Sequence, residues 1–186
     1  MAVVINGNGA VTGLTALPDS AMAEGSIIQV VSTFKGDVFS TTSTSLTDIT
    51  GFALTITPSS NSSKILIIST CGWSNNTNTD AVSGFQLVKV VGGTASNIAE
   101  PDTSTTHGTT AVQSNPNGNT GFSQQRWHYT FLDSPATTSA VTYKWQSKVF
   151  SSGTTLHINR RAFDSSGGTT NDMQTTATIT AMEVSA

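Results

Sequence analysis

Residues able to do chemistry are few in this chain and widely spaced. Among 186 residues there are 11 acidic and 8 basic side chains, three histidines and one cysteine. His128 and His157 fall inside apolar, alternating runs, where a ladder position on a half-exposed strand is the simpler reading. His107 follows Glu100 and Asp102 in a polar stretch, where acid–base or metal chemistry is conceivable, but the three do not match a zinc or calcium ligand spacing. Two carboxylates held about 5–10 Å apart could hydrolyse a glycoside, and Asp80, Glu100, Asp102 and Asp133 are the candidates. None sits in a recognisable motif, and the chain has no G-x-S-x-G elbow, H-E-x-x-H pair or P-loop. We therefore expect no enzyme activity, no cofactor and no metal site.

Binding chemistry is better represented. An exposed tryptophan stacks on sugar faces, and of Trp73, Trp127 and Trp145 the best exposed candidate is Trp73, which follows Gly72 and precedes the polar stretch Asn75 to Asp80. Trp127 shares its face with Tyr129 and Phe131, and Trp145 with Val141 and Tyr143, which marks both as core. Outward loop contact is thus assigned to Trp73, Asn75, Asn76, Glu100, Asp102 and His107. Cys71 flanks an apolar run and reads as a core residue; a single cysteine excludes an intrachain disulfide.

The elements that position these residues are strands. Short β-branched runs separated by Gly, Asn, Ser, Thr and Pro occur at Ser26–Phe34, Phe52–Thr57, Lys64–Thr70, Phe85–Val91, Arg126–Leu132, Val141–Val149, Thr155–Arg160 and Ala177–Val184. Phe52, Leu54 and Ile56 alternate with Ala53, Thr55 and Thr57, as on a half-buried antiparallel sheet. No stretch carries a sustained helical stripe; Asp19–Glu24 could form one turn. About eight antiparallel strands predict an all-β jelly-roll-like sandwich, with an immunoglobulin-like sandwich as the rival that a lone cysteine disfavours. Gly92–Gln125 reads as a loop of more than thirty residues, long enough to have a job.

Residues 1–25 form an extended N-terminal arm, and 26–186 the sandwich domain. Val3, Val4, Ile5, Val11, Leu14 and Leu17 make the arm too apolar to hang free, since each large side chain left in water forfeits roughly 1.5–3 kcal/mol. They are the candidate docking residues. Fully extended, 25 residues reach about 80 Å, enough to run beneath a neighbour.

Only 10% of residues are charged and the net charge is −3, while hydroxyl residues are abundant. Low charge is tolerable where much of the surface faces other subunits. No basic stripe is present to neutralise phosphates, no apolar run could span a bilayer, and Met1–Val11 lacks the basic region of a signal peptide. Nucleic acid and membrane insertion are therefore not expected, and assembly in the cytoplasm of the producing cell is.

Residues 25–67, GSIIQVVSTFKGDVFSTTSTSLTDITGFALTITPSSNSSKILI, resemble a group of tail-fibre or virion-surface proteins of aquatic tailed phages. TLHINR, followed after a Gly-rich stretch by TTATITAMEVSA, is similar to the last strands of the same group. The resemblance implies a sandwich that assembles as a homotrimer in a tumour necrosis factor-like arrangement, and INGNGAVTGL is similar to the anchoring arms of such domains. It implies a virion protein whose partners are itself, other virion proteins and a host surface glycan or protein. A short tail fibre or surface fibre is the leading form; a capsid decoration or cement protein, and a monomeric carbohydrate-binding module, are the alternatives.

Overall fold

The computed structural model describes residues 4–5, 11–12, 22–76, 82–101, 110–114, 124–162 and 174–186. Two short strands, β1 (Val4–Ile5) and β2 (Val11–Thr12), pair with each other near the N-terminus. There follow β3 (Ile27–Lys35), β4 (Phe39–Thr41), β5 (Thr47–Ile56), β6 (Lys64–Asn75), β7 (Ser83–Val91), β8 (Thr94–Ile98), β9 (Val112–Ser114), β10 (Gln125–Asp133), β11 (Val141–Val149), β12 (Leu156–Ile158) and β13 (Ala177–Val184). No helix occurs among the described residues.

The fold is an all-β antiparallel sandwich. In the first sheet the twelve-residue β6 is central: β10 lies along one side, and β13 then β12 along the other, with β3 and β4 outside them. The second sheet runs β5-β11-β7, with β8 and β9 one after the other along the free edge of β7. The eight principal strands pair first with last, second with seventh, third with sixth and fourth with fifth: β3·β13, β5·β11, β6·β10 and β7·β8. That nesting is the jelly-roll wrap.

Alternation explains which side chains meet between the sheets. In β11 Val141, Tyr143, Trp145, Ser147 and Val149 are buried and the residues between them are half-exposed. Phe52, Leu54 and Ile56 of β5 oppose Ile65, Ile67, Cys71 and Trp73 of β6 in one core. At its centre Trp127 and Trp145 lie 4.6 Å apart, Phe85 lies 5.4 Å from Trp127, and Tyr129 meets Trp145 edge-on at 5.5 Å. Such pairs add about 0.5–1.5 kcal/mol each beyond burial.

Two expectations are corrected. The span Gly92–Gln125 is not one structureless loop, because it contains β8 and β9. Gly92 and Gly93 have φ of 56° and 83° and join Val91 to its ladder partner Thr94, so they form a two-residue hairpin of the kind glycine pairs favour. The arm is also not extended throughout: Val4 and Ile5 pair with Thr12 and Val11, which doubles that part back. Val3, Leu14 and Leu17 lie outside the described residues.

Candidate functional site

Of the proposed outward contacts that the structure describes, only Glu100 is exposed. Trp73 is 1% exposed and Asn75 is buried. β6 continues through both, pairing Trp73 with Ile158 and Asn75 with Leu156, so what reads as the start of a loop is still core strand. The Trp73 ring packs edge-on against Phe85 at 6.0 Å, and Asn75 Oδ1 accepts a hydrogen bond from Ser83 Oγ at 3.0 Å. Asn76 is half-buried and its Oδ1 accepts from the Thr155 amide at 2.6 Å, a turn-closing role. Glu100 is exposed and accepts from Asn97 Nδ2 at 2.9 Å. Asp80, Asp102 and His107 lie outside the described residues.

Asp133 and Cys71 serve the fold. Asp133, 7% exposed, accepts from Lys89 Nζ at 3.1 Å and from Tyr143 Oη at 2.7 Å, joining the two sheets. Burial, with the Asp133 contact, raises the Tyr143 phenol above its ordinary range. Burial pushes the Cys71 thiol up to about 12, which leaves it protonated and unreactive. Among the described residues no group of three or more His, Cys, Asp or Glu could hold a metal ion.

A further polar device was not foreseen in sequence. Asn159 is fully buried with φ of 62°, and its Nδ2 donates to the Lys35 and Asp37 carbonyls at 3.0 and 3.1 Å. Its own amide donates to the Gly72 carbonyl, and its carbonyl accepts from the Thr175 amide. One residue thereby ties the β3–β4 connection to β6 and to the approach to β13. Asparagine tolerates the left-handed backbone better than most residues, which suits it to this position.

What the structure brings together at the surface is an apolar face. Ladder register aligns Val30, Met182, Leu66 and Leu132 in one row across β3, β13, β6 and β10. The adjacent row is Ser32, Thr180, Ile68 and Thr130, and the next is Phe34, Thr178, Thr70 and His128. Val30, Phe34, Ile68 and Leu132 are 57%, 67%, 41% and 48% exposed, and Ile27, at the end of β3, is 52% exposed. The outer face of the second sheet is different in kind. There Lys144 and Gln146 bind Asp48 at 2.7 Å each, and Thr55 bonds Thr142 at 2.7 Å. Monomeric proteins seldom expose contiguous apolar patches beyond a few hundred Å2. The signal was present in sequence: SIIQVVSTF and KILII place apolar residues on both faces of a strand, a pattern of strands covered on both sides.

No family model matches the chain, and no curated protein does. Among solved structures, that of the infectious bursal disease virus Gt strain covers 85% of this chain at 15% identity and a TM-score of 0.42. A mutant VP2 protein of the same virus, from derived T=1 particles, covers 85% at 14% identity and a TM-score of 0.40. The chain spans only 38% and 36% of the length of those two chains.

Proposed function

We propose that this chain is a non-enzymatic structural protein of a tailed-phage virion, a homotrimer docked through its N-terminal arm and acting as a short tail fibre or surface fibre. The observation that carries the reading is where the two resembling stretches go. Residues 25–67 supply β3, β4, β5 and the start of β6, while TLHINR and the C-terminal stretch supply β12 and β13. β13 pairs with both β3 and β6, and β12 pairs with β4, so stretches more than eighty residues apart in sequence interlock in one sheet. Asn159, from the INR of the second stretch, bonds the carbonyls of Lys35 and Asp37 in the first. The resemblance therefore follows a single structural unit rather than two unrelated strings.

In this reading the loops and the polar outer face are presented outward, toward a host glycan or protein. Gold-labelled antibody against the purified chain, applied to intact particles, tests the placement. Label at the tail supports the fibre form; label spread over the head replaces it with the capsid-decoration form; no label on particles that retain the protein's genome overturns the proposal.

A further inference from the structure

We propose that the outer face of the β3-β13-β6-β10 sheet is the surface through which one copy of this chain packs against a second copy. This rests on the homotrimer reading and specifies its contact. The apolar row Val30, Met182, Leu66 and Leu132 crosses the full width of the sheet, and Ile27, Ile68 and Phe34 extend it along the strands. Four strands about 4.8 Å apart and about eight residues long give a footprint of roughly 500 Å2. Side-chain relief brings the accessible area toward the about 800 Å2 that one partner contributes to a standard interface.

Charge selects the occupant. Among the described residues, the ionisable side chains on this face are Lys64 at one end and Arg126 and His128 at the other, with no carboxylate among them. Glu183, the acid of β13, is buried on the inner side, where it accepts from the Ser59 amide and hydroxyl. Among the described residues the exposed acids lie off this face: Glu24 and Asp37 flank β3 at the edge of the same sheet, and Asp48 and Glu100 belong to the second sheet's side of the molecule. The β3 edge of a second copy, with Glu24 and Asp37, carries the anionic surface that this face lacks; the contact then joins different surfaces of the two copies and leaves the outer face of the second sheet free. Head-to-tail contacts of that type close into rings, and a trimer is such a ring.

The test is the solution mass of the full chain by light scattering, for the natural sequence, Val30→Glu, Leu132→Glu and, as a control on the opposite outer face, Thr50→Glu. The expected result is three chains for the natural sequence and for Thr50→Glu, and one chain for Val30→Glu and Leu132→Glu with unchanged near-ultraviolet tryptophan dichroism. Variants at Val30 and Leu132 that stay trimeric overturn this face and leave the trimer standing. A natural sequence that is monomeric at every concentration overturns both. Should the acidic variants fail to fold, Thr130→Cys and Thr55→Cys provide an independent reading, because buried Cys71 is silent to thiol reagents. Protection of Thr130→Cys from a bulky maleimide, with Thr55→Cys labelled freely, supports the contact; equal labelling rates overturn it.

Discussion

Replacing Asn159 tests the account of how the sheet is tied together. Asn159→Ala removes two side-chain hydrogen bonds to the Lys35 and Asp37 carbonyls. At about 1 kcal/mol net for each bond, that loss is about 2 kcal/mol. Alanine must also hold the left-handed φ of 62°, which adds about 1 kcal/mol or slightly more for a residue with a Cβ and no local hydrogen bond. The expected total is about 3 kcal/mol, a large share of the about 5–15 kcal/mol by which ordinary domains are stable. Asn159→Gly separates the two parts: it loses the same bonds but not the backbone freedom, so it should be about 1 kcal/mol less damaging than alanine. Equilibrium denaturation in guanidinium, at matched protein concentration, reads both values. An Asn159→Ala protein within about 0.5 kcal/mol of the natural one, the ordinary range for an inert surface change, refutes the reasoning.

Other consequences follow from packing and charge. A Cβ at Gly72 would collide with Thr175 Oγ1 and approach its Cβ to 3.1 Å; Gly72→Ala should cost about 1–3 kcal/mol, as overpacking does, and Thr175→Gly should restore much of it in thermal melts. Asp133→Ala leaves Lys89 and the Tyr143 hydroxyl without their shared partner, and breaking such a partly buried pair should cost about 3 kcal/mol or more, whereas Lys144→Ala, at an exposed pair, should cost under about 1 kcal/mol. The Cys71 thiol rises from 9.0 to about 12 in the fold. Its contribution is therefore full below pH 9 and lost as pH rises toward 12, so Cys71→Ala should flatten the alkaline fall in stability. Reaction of Cys71 with a thiol reagent at pH 8 should also wait on unfolding.

The strand pattern was legible because inward positions alternate cleanly. Val141–Val149 and Ala177–Val184 are strands with the bounds their sequence suggests. What escaped had physical reasons. β8 is TASNI, mostly polar and exposed at a sheet edge, so no apolar alternation marks it; only the Gly92-Gly93 pair announces the hairpin. Trp73 and Asn75 look like the start of a loop because Ser74, Asn75 and Asn76 are polar, yet β12 pairs there and buries them. The apolar outer face is marked only by the unbroken apolar run of Ile65 to Ile68, which shows that both faces are apolar but not which of them meets the core. The role of Asn159 depends on carbonyls more than a hundred residues away, which periodicity does not reveal.

The most direct test of the central claim is quantitative mass spectrometry of phage particles purified from cells that produce this chain. The account predicts that the protein is retained through purification, at a copy number per particle that is a multiple of three. Its absence from clean particles, with abundant protein left in the cell lysate, would contradict the virion assignment outright.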